Sequence, residues 1–224
     1  MRKLYGIGTG PGASDLLTVR AVNVLESADM IFAPNNKGKN MALDTCKPYI
    51  KTKRIVMIDF PMGNVTEKHY IDAMELIHEE IGENQIGAFL NIGDSTIYST
   101  FMNMVLTNLK EDMEVELVPG IPSFVGAANA VKRNLTLKGE NFLLCDEPSE
   151  EILNSVESVA ILKTFKEKQE TLEMLENNGF NYVYVSNASQ ENQKVLYEKE
   201  EILSEENYIS LILARREELT KELD

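Results

Sequence analysis

Leu4-Tyr5-Gly6-Ile7-Gly8-Thr9-Gly10-Pro11-Gly12 is the stretch on which the fold turns: a short apolar strand over Leu4 to Ile7 runs into glycines and then into a helical pattern. Backbone without side chains lets a ligand approach closely, and the start of a helix offers free N–H groups. Beyond the glycines, Leu17, Ala21, Val24, Leu25 and Ala28 recur at helical spacing, with Ser14 or Asp15 as the expected cap. Strand, glycine turn and helix in this order open an α/β fold.

The same alternation continues outward. Met30 to Ala33, Arg54 to Ile58 and Ile86 to Asn91 read as further strands, and a helix after Val65 places Tyr70, Ala73, Met74, Ile77 and Ile81 on one face. Gly93-Asp94 leads into a helix expected from about Ile97 to Leu109, and Val115 to Val118 is the next strand. The turn-rich Pro119-Gly120-Ile121-Pro122 opens another helix, and the domain boundary is placed there, with a first α/β domain over 1–116 and a second over 117–224. In the second half, strands are expected at Phe142 to Cys145, Val159 to Leu162, Tyr182 to Val185 and Tyr208 to Leu213, with a helix from Lys166 to Asn178 stopped by Gly179. A further strand at Val195 to Tyr197 would make the second sheet mixed, whereas the first is mostly parallel. The charged stretch from Glu217 to Asp224 reads as a frayed helical end.

Composition narrows the class. The 224 residues suit one large domain or two smaller ones, and 43% hydrophobic with 26% charged residues is ordinary for a folded protein. A net charge of −14 argues against nucleic acid as a partner, because binding to phosphates is driven by Lys and Arg. The cations to follow are Arg20, Lys37, Lys39, Arg54, Lys132, Arg133, Lys163, Arg215 and Arg216, each a solvated surface charge unless a ligand gathers them. No charged leader precedes an apolar stretch, and no apolar run approaches the roughly 18 residues of a membrane span, so a cytoplasmic protein with no membrane partner is expected. Cys46 and Cys145 lack a CxxC pairing and read as reduced core thiols; His69 and His78 lack metal-ligand spacing, and no metal is expected.

Read by itself, the glycine loop leaves several readings open. Gly8, Gly10 and Ala13 formally match a dinucleotide fingerprint, but that needs an acidic residue roughly 20 positions later, where this chain has Ala33-Pro34-Asn35. A doubly wound methyltransferase with a GxGxG loop would need a similar carboxylate. Pro11 counts against both, since it removes a donor and fixes φ. Alternatively, the glycines simply make a tight strand-to-helix turn.

Several stretches together carry a resemblance. The loop Leu4 to Gly12, then Leu16-Leu17-Thr18 and Ala21, then Ala28-Asp29, Gly93-Asp94 with Tyr98, and Val118-Pro119-Gly120-Ile121 with Ser123 resemble, in order and spacing, the tetrapyrrole methylases. Phe60-Pro61-Met62 and Gly93-Asp94-Ser95-Thr96-Ile97-Tyr98-Ser99-Thr100-Phe101 are similar to members that methylate carbon 20 of precorrin-2 or cobalt-precorrin-2 on the route to cobalamin. The family's usual pattern has Pro after Gly-Asp, where Ser95 stands here; Pro122 occupies a position often held by Ser or Thr.

This resemblance implies two α/β domains with a cofactor cleft between them, S-adenosylmethionine as methyl donor, a small-molecule tetrapyrrole as substrate and a homodimer. It implies a donor held mostly by backbone: Pro11 beside the methionine end; Ile92, Gly93, Asp94 and Ile97 along the methionine and ribose; Pro122 and Ser123 at the start of the second domain; Leu162 and Ala188 around the adenine. Asp94 would accept from the donor's ammonium or ribose hydroxyls, or else cap the next helix. Gly10 and Gly12 would face the macrocycle, with Arg20, Lys37 and Lys39 as contacts for its carboxylates. No catalytic base is assigned; Tyr98 is the candidate for orienting the macrocycle, against the alternative of a core-facing aromatic. A sulfonium donor is already activated, so in-line placement and a dry site suffice and no nucleophilic side chain is needed.

Overall fold

The computed structural model describes residues 1–35, 40–60, 65–164 and 167–216. The chain divides into two compact units, Met1–Pro122 and a second that begins at Ser123. This division falls after the expected boundary at 117, because the strand Met113–Val118 belongs to the first sheet, where Ile7 pairs with Val118.

The first unit holds strands β1 (Arg2–Gly8), β2 (Met30–Asn35), β3 (Arg54–Asp59), β4 (Ile86–Asn91) and β5 (Met113–Val118), in the order β3-β2-β4-β1-β5 with every pairing parallel. Parallel neighbours need crossovers, supplied by α1 (Val19–Ser27), α2 (Met41–Cys46), α3 (Glu67–Glu80) and α4 (Thr100–Asn108). One face of the sheet packs Ile7, Ile31, Ala88 and Leu90 against Ala21 and Leu25 of α1 and Cys46 of α2. The opposite face packs Leu4, Phe32 and Phe89 against Met74 and Ile77 of α3 and Phe101 of α4. Burial on both faces explains why Ala88-Phe89-Leu90 is apolar without alternation.

Two helix starts differ from the sequence reading, each for a local reason. α1 is capped by Thr18, whose hydroxyl accepts from the Ala21 N–H (3.2 Å), while Ser14–Leu16 form a separate 3₁₀ turn. α4 begins at Thr100, capped by Ser99, because Tyr98 sits in the left-handed region (φ 45°) and cannot enter a helix. At the other end of α1, Lys53 Nζ donates to the carbonyls of Glu26 (2.6 Å) and Ala28 (2.7 Å), placing a cation where the helix leaves its acceptors free. Asp29, from the Ala28-Asp29 motif, accepts from the Ile86 N–H (2.7 Å) and so fixes the start of β4.

In the second unit, β6 (Phe142–Cys145), β7 (Ser158–Leu162), β8 (Asn181–Ser186), β9 (Lys194–Leu196) and β10 (Ser210–Arg215) form a mixed sheet ordered β6-β7-β10-β8-β9. Only β6 and β7 pair in parallel; the remaining pairings are antiparallel. The helices are α5 (Ser123–Ala130), α6 (Glu150–Leu153), α7 (Lys168–Asn177) and α8 (Lys199–Ser204). Arg216 ties the ends of α6 and α7 together: its guanidinium stacks 4.5 Å from the Phe180 ring and donates to the carbonyls of Leu153 (2.9 Å), Val156 (3.1 Å) and Asn178. Arg215 pairs with Glu140 (2.6 Å) and holds the Leu135 carbonyl (3.2 Å). Among the expected features, Lys37, Lys39, Pro61, Met62, the helix start expected at Lys166, and the stretch 217–224 lie outside the described residues; α7 itself begins at Lys168.

Both cysteines are free, and burial pushes the Cys46 thiol up to about 12. Burial, followed by the neighbouring Asp146 charge, pushes Cys145 up to about 11. His69 accepts from the Thr66 N–H (3.0 Å) at the head of α3, and His78 lies 2.8 Å from Asp112. Among the described residues, no group of His, Cys, Asp and Glu is arranged to hold a metal ion, and no helix is long and apolar enough to cross a membrane.

Two outcomes follow from this packing. A Cβ at Gly6 would stand 2.3 Å from the Phe101 ring, so Gly6→Ala is expected to destabilise the fold by about 1–3 kcal/mol. Phe101→Leu in the same chain should recover part of the loss, and an unchanged thermal midpoint for Gly6→Ala alone would refute the contact. At pH 8 only about one Cys46 thiol in ten thousand would be ionised, so an aromatic disulfide reagent should label it slowly in the native protein and rapidly in denaturant. Equal rates in the two states would contradict its burial.

Candidate active site

β1 and β4 are neighbours, yet α1, which follows β1, covers one face of the sheet and α4, which follows β4, covers the other. Open α/β sheets bind ligands outside the carboxyl ends of strands where successive connections part in this way. Here backbone joins the two loops at that point. The Gly10 N–H donates to the Gly93 carbonyl (3.1 Å), and the Gly93 N–H donates to the Gly10 carbonyl (2.8 Å). Both glycines occupy the left-handed region, with φ of 74° and 70°. Thr9 adds its N–H (2.8 Å) and its hydroxyl (2.9 Å) to the Asn91 carbonyl.

β5 converges on the same place. A Cβ on Gly8 would stand 2.5 Å from the Gly120 nitrogen, and one on Gly120 would stand 2.1 Å from the Gly93 carbonyl oxygen. Gly8 is therefore bare because other backbone approaches it, while Gly6 is bare because of Phe101. The tight-turn reading of the loop thus accounts for part of its glycine content. Gly12, half-buried, accepts through its carbonyl from the Thr45 hydroxyl (3.0 Å), and Pro11 is buried beside it.

Asp94 knits these loops together. One carboxylate oxygen accepts from the N–H (2.8 Å) and hydroxyl (2.6 Å) of Thr96, and the other accepts from the Gly120 N–H (2.9 Å). Burial alone would raise its pKa, but the bonds from the Thr96 hydroxyl, the Gly120 N–H and the Thr96 N–H outweigh it and hold the carboxyl below the usual range. The residue thus ties the loop after β4 to the loop after β5 and turns the chain two residues before Thr96. Ile92 and Tyr98 flank it as exposed apolar side chains, at 38% and 49%, and the half-buried Ile97 donates its N–H to the Asp94 carbonyl (3.3 Å). Tyr98 is surface-facing, which removes the reading of it as a core aromatic. Its left-handed φ is costly for a tyrosine, and such strain concentrates at functional sites.

Arg20 is exposed and paired with Glu116 on β5, which also lies 2.9 Å from Lys3. Pro122 ends the first unit and Ser123 begins α5, both half-buried. Within the second unit, Leu162 and Ala188 lie at one end of the sheet: Leu211 of β10 pairs with Leu162 on one side and Val185 on the other, and the Asn187 N–H donates to the Ile209 carbonyl (3.0 Å). Each neighbours strained backbone, with Lys163 at φ 60° after Leu162, and Asn187 (49°) and Ser189 (66°) on either side of Ala188. Sequence reading missed these left-handed residues, since none is glycine.

Comparison with known proteins matches residues 3–203 to the model of the Tetrapyrrole (Corrin/Porphyrin) Methylases. A relative named a probable cobalt-precorrin-2 C(20)-methyltransferase, from Methanocaldococcus jannaschii, is 36% identical over 96% of this chain and 97% of its own length. The cobalt-precorrin-2 C(20)-methyltransferase of Salmonella typhimurium is 29% identical over 73% of each chain. Among solved structures, a cobalt precorrin-4 methyltransferase superposes with a TM-score of 0.73 at 19% identity, covering 95% of this chain and 94% of its own. The uroporphyrin-III C-methyl transferase of Thermus thermophilus, complexed with S-adenyl homocysteine, gives 0.70 at 17%, covering 95% and 97%. At such identities the structures speak for the fold. With its strand order, its backbone-lined switch point and a family match over most of its length, the chain belongs to the tetrapyrrole (corrin/porphyrin) methylases.

Proposed function

We propose that this protein transfers a methyl group from S-adenosylmethionine to carbon 20 of precorrin-2 or cobalt-precorrin-2 in the biosynthesis of cobalamin. The observation that carries the reading is the near-full-length likeness to the probable cobalt-precorrin-2 C(20)-methyltransferase of Methanocaldococcus jannaschii. The geometry supports it through a switch point lined by main chain and apolar side chains. The donor residues fit such a ligand, since Gly10 and Gly93 bring bare backbone to the carboxyl ends of β1 and β4 and leave Ile92 and Tyr98 exposed beside them. In this reading Ile92, Gly93, Asp94 and Ile97 line the methionine and ribose portion, with Pro11, Pro122 and Ser123. Leu162 and Ala188 take the adenine, while Gly10, Gly12, Arg20 and Lys37 serve the macrocycle. The reading includes a homodimer and a cytoplasmic location.

S-Adenosylmethionine, when bound, supplies a methyl group activated by its positively charged sulfur. The residues of the chain then have placement as their task. Asp94 holds the 92–98 loop against the loop after β5 by its bonds to Thr96 and Gly120, so its carboxylate acts first as a brace. Ile92 presents an apolar wall that excludes water, and Tyr98, exposed at the end of the loop, offers a phenol to orient the macrocycle. Arg20 offers a cation to a substrate carboxylate in exchange for Glu116.

Incubating the protein with S-adenosylmethionine and either precorrin-2 or cobalt-precorrin-2 should yield S-adenosylhomocysteine and a product heavier by one methylene, with the new methyl at carbon 20 by NMR. A methyl at another carbon would sink the regiochemistry, and donor binding without transfer to either macrocycle would sink the substrate. Asp94→Asn should raise the KM for S-adenosylmethionine about tenfold and lower kcat less, since its amide would present an N–H to the Gly120 N–H. Because the folded carboxyl lies below its unfolded value, its contribution is complete above that value and is lost only as pH falls through the folded one. The wild-type KM should therefore show no Asp94-dependent inflection between about pH 6 and pH 9; an inflection there that Asp94→Asn abolishes would contradict the assignment.

A further inference from the structure

We propose that the side chain of Asn91 is a positioning residue that holds the 92–98 loop in its ligand-ready shape, replacing with hydrogen bonds the stiffness that proline gives the usual Gly-Asp-Pro pattern. This inference rests on the reading that the loop lines the methyl donor. Asn91 ends β4, where its carbonyl is already held by Thr9. Its Nδ2 donates to the Ser95 hydroxyl (3.0 Å), and its Oδ1 accepts from the Ser99 hydroxyl (3.0 Å). Ser99 in turn accepts from the Phe101 N–H (3.1 Å) and so caps α4. One side chain on a rigid strand thus grips the loop at its turn and at its exit into the helix.

The grip is built from buried groups. Asn91 is 8% exposed and Ser95 1%, and polar atoms at that depth are kept only when paired. Between the two held serines stands Tyr98, whose left-handed backbone persists only where its flanks are fixed. Proline at position 95 would fix φ by its ring, whereas serine leaves the turn free unless its side chain is held. At Ser95 the φ is outside the left-handed region and, among the described residues, the N–H donates no backbone hydrogen bond, so proline there would sacrifice none. The paired presence of Ser95 and an amide at 91 therefore reads as one device.

The test compares the full-length wild type with Asn91→Ala, Ser95→Ala, Ser95→Pro and Asn91→Ala/Ser95→Pro. Hydrogen exchange of the loop amides is measured without ligand, and the Kd for S-adenosylhomocysteine by titration calorimetry. Asn91→Ala should speed exchange across 93–98 and weaken binding, each about tenfold. Adding Ser95→Pro should return both most of the way to the values of Ser95→Pro alone, a rescue that a general loss of stability would not give. If Asn91→Ala fails to fold, Ser95→Ala, which cuts one arm of the grip, should show the same loosening at smaller size. Wild-type exchange and affinity in folded Asn91→Ala and Ser95→Ala, or a double variant no better than Asn91→Ala, would overturn the proposal. A wild type that binds no S-adenosylhomocysteine would overturn the ligand assignment instead, and the exchange measurement would still decide the brace.

Discussion

The paired hydrogen bonds between Gly10 and Gly93 are the constraint on which the first unit's site depends. They join two loops whose helices depart to opposite faces of the sheet, and they leave no room for side chains where the ends of β1, β4 and β5 meet. Main chain makes the contact itself, and the exposed apolar side chains, Ile92 and Tyr98, stand on its flanks. A reaction whose donor arrives activated suits such a site, because geometry is what rigid backbone supplies best.

The parallel half of the fold was legible at β2 and β4, which are buried on both faces and so appear as apolar runs, as in Ala88-Phe89-Leu90; the edge strands β3 and β5 are partly exposed and mix polar with apolar residues. The helices with several apolar turns, α1, α3 and α4, could be read from spacing. The start of α3 was legible, since its N-cap Thr66 directly follows Val65; that of α1 was not, because Thr18 caps it in place of Ser14 or Asp15, and the Thr18 hydroxyl also reaches the Pro119 carbonyl (3.3 Å). α2, α6 and α8 span 6, 4 and 6 residues, too short for a helical period to show.

The motif residues of the candidate site stand out in the sequence, whereas their bonding does not. Gly93-Asp94 stands out in sequence, but one partner of its carboxylate, Gly120, is 26 positions on and contributes only a backbone N–H. Asn91 reads as the last residue of an apolar strand, and nothing in its neighbours says that its amide reaches Ser95 and Ser99. The strained turns at Tyr98, Lys163, Asn187 and Ser189 carry no glycine to announce them. Left-handed backbone at such residues is imposed by the surrounding fold, so no local pattern could have revealed it.

The acidic surface and a carboxylate-bearing substrate are compatible once the cations are sorted by how firmly they are held. Arg215 and Glu140 are nearly buried together, with side-chain exposures of 11% and 15%, so separating them would strand a charge; Arg216 is spent on carbonyls. Arg20 differs: its side chain is 57% exposed, and its partner Glu116 has a second cation in Lys3. Exposed ion pairs contribute little, so under the proposed function Arg20 would leave Glu116 for a substrate carboxylate while Lys3 stays with it. The repulsion of the net charge of −14 is screened beyond about 8 Å at physiological ionic strength, which leaves local exchanges of this kind to decide whether an anionic macrocycle is held.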